Sequence, residues 1–311
     1  FTEVNGYKPD ADAIREVYIP RLKYELGVLR DLKFATYFLV VSDVVNWSKE
    51  QRILVGPGRG SVGGSLVAYL MGITDVDPVR FGLLFERFIN PSRNDLPDAD
   101  LDFMSTRRQE VVDYLERRHG TENVAGISNY GQLGAASGLR DVGRIYGLSL
   151  LDLGVSKLVP KVHGQPVDLA TAAKEVAPIQ KFADENKEVW RNAVKLEGVM
   201  RSLGKHAAGI IVSGVPLTTR AVVERREGAR VINWNMAVSE DAGLVKLDIL
   251  GLSTLDTLSR CLSYIKERHM KTIDLSAIPL DDAKTLNLFA TGQTQGVFQV
   301  EGGAARRLLK D

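Results

Sequence analysis

The chain has 311 residues and a formal net charge of +1 at pH 7, with 44% apolar and 25% charged residues. The length predicts about two domains, or one elaborate domain, with a substantial core, and the composition is that of an ordinary globular protein. The near-zero net charge neither demands nor excludes a nucleic-acid partner, which only a local basic patch would bind. No stretch of about 18 consecutive apolar residues occurs, so the sequence predicts no membrane-spanning helix, and its single cysteine indicates a reducing cytoplasm.

The first predicted elements are two helices. Apolar residues at helical spacing predict a helix over residues 10–31, which Pro20 kinks or divides. The segment Tyr37–Trp47 is apolar nearly all round, which predicts a second helix that is buried. We interpret both as core elements.

A glycine-rich turn, Gly56–Ser65, is the first candidate site. It lies between a short predicted strand, Arg52–Val55, and a predicted helix, Leu66–Met71. Backbone N–H groups of such a turn and the positive end of the helix dipole favour a bound phosphate. One basic and two hydroxyl side chains add possible direct contacts with the phosphate: Arg59, Ser61 and Ser65.

The same turn also matches the dinucleotide-binding fingerprint at Gly58, Gly60 and Gly63, so a dinucleotide-binding enzyme is an alternative. That fingerprint needs a second strand that ends in an acidic residue about 20 residues further on. Asp77 is at that distance but lies in a predicted turn. The dinucleotide interpretation is therefore the weaker one.

Three aspartates alternate with apolar residues in the segment Pro97–Phe103. Successive side chains of a β-strand point to opposite faces, so Asp98, Asp100 and Asp102 share one face. Carboxylates held this close repel one another unless a cation lies between them, and Mg²⁺ prefers such oxygen ligands. The sequence leaves two interpretations open: a metal site and an exposed acidic strand. Arg87 lies about ten residues before these aspartates, in a segment with aromatic residues on both sides. We interpret it as a phosphate-binding or charge-balancing residue.

The stretch from Tyr130 to Leu203 has a helical and more polar pattern. Arg140 and Arg144 are four residues apart and therefore lie on one helix face. The composition of this stretch supports two interpretations equally: a subdomain that binds a nucleic-acid backbone, and an ordinary helical bundle.

Strand character returns in the segment Gly204–Val212, predicted as a turn into a strand, and in Leu244–Leu252, predicted as a buried strand. Lys246 and Asp248 share one face of the second strand, and a buried aspartate must be paired or bound to a metal. Helices are predicted again over residues 254–268 and 281–291. We interpret Cys261 as a small buried apolar residue of the first of these helices.

A phosphate-binding turn, an acidic strand and a further carboxylate on another strand are typical of two-metal phosphoryl transfer. Seven motifs also occur in the order found in one polymerase family: GPGRGS (56–61), FERFINP (85–91), PDADLDF (97–103), RDVGR (140–144), GKHAAG (204–209), VKLDILGL (245–252) and VFQVE (297–301). The chain therefore resembles the C-family replicative DNA polymerases, the family of the bacterial DNA polymerase III alpha subunits.

The resemblance implies an α+β fold: a polymerase-beta-like nucleotidyltransferase palm with a mixed sheet, an inserted helical thumb and the beginning of helical fingers. The implied domains are the first part of the palm (1–129), the thumb (130–203), the second part of the palm (204–253) and the start of the fingers (254–311).

The resemblance also implies the roles of individual residues. The catalytic metal ligands are expected to be Asp100, Asp102 and Asp248, which bind two Mg²⁺ ions, with Mn²⁺ as a substitute. Asp98 is not a principal ligand. The expected nucleotide-binding residues are Arg59, Gly60, Ser61, Arg87 and Lys246, and the expected DNA-binding residues are Arg140, Arg144 and Lys205.

The implied function is template-directed DNA synthesis, the transfer of deoxynucleotides to a primer 3′-hydroxyl group. The expected partners are primer–template DNA, deoxynucleoside triphosphates and other replisome subunits, the last of which are expected to bind through domains of the family that are missing here. The expected location is the cytoplasm, in association with the nucleoid. The main alternative is a polymerase-like module that binds DNA or assembles with partners without catalysis. Because the fingers of the family supply further contacts with the triphosphate, this chain alone is expected to have weak activity or none.

Overall fold

The structure is a computed structural model that describes residues 6–92, 97–162 and 164–310. The helices are α1 (Ala11–Ala13), α2 (Ile19–Asp31), α3 (Ala35–Glu50), α4 (Leu66–Leu70), α5 (Arg108–His119), α6 (Ala135–Ile145), α7 (Leu169–Glu175), α8 (Ala177–Glu185), α9 (Lys187–Leu196), α10 (Met236–Asp241), α11 (Ser253–His269), α12 (Ala283–Ala290) and α13 (Gly303–Lys310). The strands are β1 (Asp100–Met104), β2 (Val124–Gln132), β3 (Lys161–Val162), β4 (Gln165–Pro166), β5 (Met200–Val212), β6 (Val223–Arg226), β7 (Ala229–Ile232) and β8 (Val245–Leu252).

The chain divides into two compact units. The first unit comprises Phe1–Gly126, Ala207–Val223 and Ser239–Asp311, and the second comprises Ile127–His206 and Glu224–Val238. None of the helices in the described ranges is both long enough and apolar enough to cross a membrane.

The mixed sheet is the element that positions the candidate site. Strands β1 and β8 pair in parallel, with Asp100 opposite Asp248, and β8 pairs antiparallel with β5, with Asp248 opposite Gly209. The strand order is β1-β8-β5-β2-β7-β6. This combination of helices with parallel and antiparallel strands confirms the predicted α+β fold with a mixed sheet.

The core of the first unit lies against one face of β1 and β8. Leu101 and Phe103 from β1 are buried there together with Leu247 and Ile249 from β8. Helices α3 and α5 contribute further apolar side chains to this cluster, including Val41, Val45, Val111 and Leu115. Burial of each such side chain contributes about 1.5–3 kcal/mol, which anchors the strands and leaves their opposite face for polar residues.

The two N-terminal helices differ from their predictions in detail. A π-helical turn, Ile14–Tyr18, runs directly into α2, so Pro20 lies within a continuous helical stretch. Proline has no N–H and therefore removes one backbone hydrogen bond to the preceding turn. Helix α3 extends beyond the predicted segment at both ends. It is not buried all round, because Leu39 is 62% exposed.

Three local predictions are wrong. Segment 52–55 is not a strand: Val55 forms only an isolated bridge to Phe103, because the following glycine–proline segment interrupts a regular ladder. No turn occurs at Gly204, since β5 begins at Met200 and runs through it. Cys261 is exposed, because α11 buries the face that carries Leu255 instead.

The second unit contains helices α6–α9, which confirms the helical pattern predicted for most of residues 130–203. The buried side chains of its core include Leu139, Leu169, Ile179, Phe182 and Val189. A short antiparallel pair, β3 and β4, precedes α7. The two ends of the predicted helical stretch lie in β2 and β5 instead.

Candidate active site

Three carboxylates share one face of the strand pair β1–β8, here called the acidic face. Asp100 and Asp102 are two residues apart on β1, and Asp248 is the direct cross-strand neighbour of Asp100. The alternation predicted from the sequence therefore holds within the strand, with Leu101 and Phe103 directed to the core. The strand begins only at Asp100, so Asp98 lies just before it.

Arg59 neutralises one side of the acidic face. Its Nε and Nη2 atoms donate to Asp102 Oδ2 and Oδ1 at 2.9 and 3.1 Å, and Nη2 lies 3.9 Å from Asp100 Oδ1. The hydrogen bond to Asp102 raises the pKa of the Arg59 guanidinium. A bidentate pair of this kind satisfies both oxygens of Asp102, whose side chain is buried.

Lys246 neutralises the other side. Its Nζ atom lies 2.9 Å from Asp248 Oδ2, 3.1 Å from Asp98 Oδ1 and 3.9 Å from Glu240 Oε1. Burial lowers the pKa of Lys246, but the hydrogen bond to Asp248 and the negative charges of Asp248 and Asp98 outweigh burial and raise it overall. Lys246 therefore carries a positive charge beside the acidic face.

Two of the carboxylates have features suited to a further cation. Burial, reinforced by the charges of nearby aspartates and only partly offset by Arg59, raises the pKa of Asp100. Asp248 Oδ1 is buried without a hydrogen-bond partner. A hard divalent ion would satisfy that oxygen and reduce the repulsion, so the donor set fits Mg²⁺ or Mn²⁺.

The carboxylates are not gathered around a single point, however. Within residues 6–92, 97–162 and 164–310, no three His, Cys, Asp or Glu side chains form a group that would hold a metal ion. Arg59 and Lys246 compensate the negative charge instead. Metal binding at the acidic face therefore requires these side chains to rearrange.

The glycine-rich segment lies directly against the acidic face. The N–H of Gly56 donates to the carbonyl of Asp102 at 2.8 Å, and Arg59 forms an isolated backbone bridge with Asp100. Residues Gly60–Gly64 then form a 3₁₀ turn, here called the glycine turn. Gly60 has a φ of +73°, and a Cβ there would lie 3.0 Å from Asp100 Oδ2, so glycine permits this close approach.

The helix after the glycine turn does not offer the phosphate contacts that we predicted. The backbone N–H groups of Leu66 and Val67 donate to the carboxylate of Glu25, and the N–H of Ala68 donates to Ser65 Oγ. Ser65 Oγ itself donates to Glu25, and its side chain is fully buried. The prediction that Ser65 and the N-terminus of α4 contact a phosphate is therefore wrong, which leaves the glycine turn and its flanking side chains.

Asp77 does not support dinucleotide binding. Its Oδ2 atom accepts a hydrogen bond from Tyr18 Oη at 2.6 Å, and its Oδ1 atom accepts one from the N–H of Val79 at 2.9 Å. These bonds use both oxygens of Asp77 in an internal turn. A carboxylate that recognises a ribose lies instead at the end of a strand.

The remaining candidates occupy different places. Ser61 is half-buried in the glycine turn, and Arg87 is exposed at the end of a 3₁₀ turn, Phe85–Arg87. Arg140 and Arg144 are exposed on α6 of the second unit, and Arg144 Nη1 lies 3.7 Å from Asp141 Oδ1. Lys205 is half-buried in β5. Within the first unit, the structure thus brings together Asp100, Asp102, Asp248, Arg59, Gly60 and Lys246.

Two residues near the acidic face were not predicted from the sequence as part of the site. Tyr37 Oη accepts a hydrogen bond from the N–H of Ala99 at 3.0 Å, which fixes the backbone just before Asp100. A tyrosine in a helix predicted to be buried is a usable signal, because its hydroxyl group needs a partner. Glu240, near Lys246, gave no such signal.

Comparisons with known proteins agree on one family. Residues 4–251 match the family described as bacterial DNA polymerase III alpha NTPase domain, and residues 254–311 match the family described as bacterial DNA polymerase III alpha subunit finger domain. The chain is 53% identical over 310 residues to DNA polymerase III subunit alpha of Yersinia pestis, which covers 100% of this chain and 26% of that protein.

Two further relatives carry the same name. The chain is 45% identical over 304 residues to the protein of Caulobacter vibrioides, covering 96% of this chain and 26% of that relative. It is 42% identical over 299 residues to the protein of Staphylococcus aureus, covering 95% of this chain and 28% of that relative. The chain thus spans about a quarter of the length of these relatives.

Proposed function

Because the chain belongs to the bacterial DNA polymerase III alpha family, we propose that it carries the nucleotidyl-transfer centre of a template-directed DNA polymerase. The observation that carries the proposal is the contact of the glycine turn with the acidic face, where a Cβ on Gly60 would lie 3.0 Å from Asp100. Phosphoryl transfer needs carboxylates and a phosphate-binding turn within reach of one reacting phosphate.

The proposed ligands of two Mg²⁺ ions are Asp100, Asp102 and Asp248. When bound, such ions would activate the primer hydroxyl group and neutralise the negative charge of the triphosphate and of the leaving pyrophosphate. Arg59, Arg87, Lys246 and the glycine turn bind and orient the triphosphate. Orientation by these groups holds the α-phosphate in line with the attacking hydroxyl group.

Arg59 has two roles in this proposal. Without a nucleotide, it holds the Asp102 carboxylate through two hydrogen bonds. With Asp102 as a metal ligand, the Arg59 guanidinium would be available to the phosphates. A guanidinium suits both partners, because its planar fork matches carboxylate and phosphate oxygens alike.

The domain assignment and the DNA contacts are part of the same proposal. The palm comprises residues 1–129 and 204–253, the thumb residues 130–203, and the fingers begin at residue 254. Arg140, Arg144 and Lys205 contact primer–template DNA, and the exposed positions of Arg140 and Arg144 on α6 support this role. Other replisome subunits are further proposed partners.

A non-catalytic DNA-binding or assembly module is the second candidate. The observation that favours it is the absence, among the described residues, of three acidic, histidine or cysteine side chains grouped closely enough to hold an ion. In such a module, Arg59 and Lys246 compensate the acidic face permanently.

Primer extension separates the two candidates. The wild-type chain, incubated with primer–template DNA, all four deoxynucleoside triphosphates and Mg²⁺, is compared with Asp100→Asn and with Asp281→Asn on the exposed surface. Catalysis predicts extension by wild type and Asp281→Asn, and a loss of about 10²-fold or more for Asp100→Asn. No extension by wild type, or equal extension by all three, contradicts catalysis by this chain.

A further inference from the structure

A buried carboxylate contacts the residues that directly follow the glycine turn. Glu25 of α2 has a side-chain exposure of 0%, and its two oxygens accept hydrogen bonds from four donors. These donors are Arg21 Nε at 2.6 Å, Ser65 Oγ at 2.9 Å, the N–H of Leu66 at 3.0 Å and the N–H of Val67 at 3.1 Å. Glu25 therefore fixes the residues that directly follow the glycine turn.

Arg21, the partner of Glu25, also holds two backbone segments. Its Nη2 atom donates to the carbonyl of Gly64 at 2.9 Å and to the carbonyl of Leu83 at 3.2 Å. Gly64 is the last residue of the glycine turn, and Leu83 lies just before the turn that carries Arg87. One guanidinium thus joins the two segments that the proposed function assigns to the triphosphate.

The two segments are also in direct contact. A Cβ on Gly64 would lie 2.4 Å from the carbonyl oxygen of Leu84, so only glycine permits this approach. Phe85 is fully buried, and its ring lies 6.0 Å from the Arg21 guanidinium carbon and packs edge-on against Tyr24 of α2. The face of α2 that carries residues 21, 24 and 25 therefore supports both turns.

We propose that Arg21 and Glu25 are positioning residues that set the spacing between the glycine turn and Arg87, and hence the affinity for the triphosphate of the incoming nucleotide. This inference rests on the proposed function of the site. Both residues act through the turns rather than on the nucleotide, since their hydrogen bonds are directed to Gly64, Leu83 and the first residues of α4.

The number of donors explains why a charged carboxylate is required. All four hydrogen bonds are donated to Glu25, so an amide at this position would direct its own NH₂ group toward at least one donor. Glu25→Gln changes no volume but leaves a buried donor unsatisfied beside Arg21. We expect the end of the glycine turn to move in response.

The test measures binding of dATP with Mg²⁺ in the absence of primer, by titration calorimetry, for the wild-type chain and for Glu25→Gln. Asp31→Asn is the matched control, because it lies on the same helix and its ion pair with Arg30 is exposed. The inference predicts binding weakened by roughly 10-fold or more in Glu25→Gln and unchanged in Asp31→Asn. In primer extension, it predicts a KM for dATP raised by a similar factor, with kcat nearly unchanged.

A second variant covers the case in which Glu25→Gln does not fold. Arg21→Lys keeps a positive charge beside Glu25 but lacks the planar fork that reaches the two carbonyl oxygens. Folding of each variant is checked by circular dichroism, and amide hydrogen exchange of residues 60–65 and 84–87 is compared with that of β1. The inference predicts faster exchange in the two turns and unchanged exchange in β1.

The outcomes distinguish this inference from the proposed function. If the wild-type chain binds no dATP, the proposed function fails, and the inference fails with it. If wild type binds dATP and both folded variants bind it equally well, or if the loss appears in kcat alone, the positioning role is wrong while the proposed function stands.

Discussion

The acidic face and the glycine turn contact each other but are built in opposite ways. The acidic face presents side chains from β1 and β8, which are distant in the sequence and meet only through parallel pairing. The glycine turn is one short segment in which three of the five residues are glycine, so it presents mainly backbone. Charge compensation by Arg59 and Lys246 stabilises the first region, whereas the positive φ of Gly60 and close packing define the second.

The difference shows which changes each region tolerates. A carboxylate of the acidic face can lose its charge without a change of volume, so a substitution there acts through charge and hydrogen bonding rather than through packing. A glycine of the turn has no charge to lose, so any substitution acts through shape and strain. Arg59 directly precedes the glycine turn and links it to the acidic face, because its backbone pairs with Asp100 and its side chain with Asp102.

The largest expected effect comes from Asp102→Asn. This substitution removes a proposed metal ligand at constant volume, and we expect primer extension to fall by about 10²–10³-fold. Asp98→Asn is the control, since Asp98 lies outside β1, is 55% exposed and contacts Lys246 only at the edge of the site. Steady-state extension rates measure both. Equal losses in the two variants would contradict the distinction between a ligand and a neighbouring residue.

The next effect concerns Arg59, the residue that links the two regions. Arg59→Ala leaves the buried carboxylate of Asp102 without its two donors, so we expect the metal-free chain to lose about 1–3 kcal/mol of stability. Because the competing guanidinium is gone, Mg²⁺ should raise the melting temperature more in this variant than in wild type. Thermal unfolding with Mg²⁺ and with EDTA measures this. A smaller Mg²⁺ shift in Arg59→Ala would show that Arg59 does not compete with the ions.

Gly60→Ala tests the turn itself. Its φ of +73° and the 3.0 Å approach to Asp100 Oδ2 make an added methyl group strained, with an expected loss of about 1–2 kcal/mol and weaker dATP binding. Gly63→Ala is the matched control in the same turn, because its φ is not positive and its Cβ would meet only Leu83 Cδ1 at 4.0 Å. Chemical denaturation and calorimetry compare the two. Greater damage from Gly63→Ala would contradict the assignment of strain to Gly60.

Tyr37→Phe has the smallest expected effect. It removes the acceptor of the buried Ala99 N–H, and we expect a loss of about 1 kcal/mol with a small decrease in extension rate. Tyr264→Phe serves as the control, since Tyr264 is 55% exposed on α11. Urea denaturation measures both variants. A loss of stability as large as that of Arg59→Ala would mean that Tyr37 supports the core rather than the acidic strand alone.

Sequence patterns were sufficient where local geometry decides the outcome. Alternation in Pro97–Phe103 predicted which side chains of β1 share a face, because the strand period of two is a backbone property. The position of Lys246 two residues from Asp248 predicted their contact for the same reason. Glycines and a proline likewise indicated the turn after Val55, although not the loss of the strand before it.

Partners from distant segments were not predictable in the same way. Ser65 was assigned to a phosphate, but α2 brings Glu25 against it, and that carboxylate takes the first N–H groups of α4. Glu25 itself had a usable signal, since it lies between Leu22 and Leu29 on the apolar face of a predicted helix, where a charge must be paired. No sequence signal indicated that Cys261 is exposed, because the elements packed against α11 determine which of its faces is buried.

The sequence by itself determined the family, the α+β fold class, and the residue types of the proposed nucleotidyl-transfer site. Those features depend on local periodicity and on motifs that are contiguous in the chain. Only the tertiary structure decided that Arg59 holds Asp102, that Lys246 joins Asp98 to Asp248, and that Glu25 supports the glycine turn. Charges buried together must be compensated by whichever groups the fold brings within hydrogen-bond distance, and that choice is made by long-range packing.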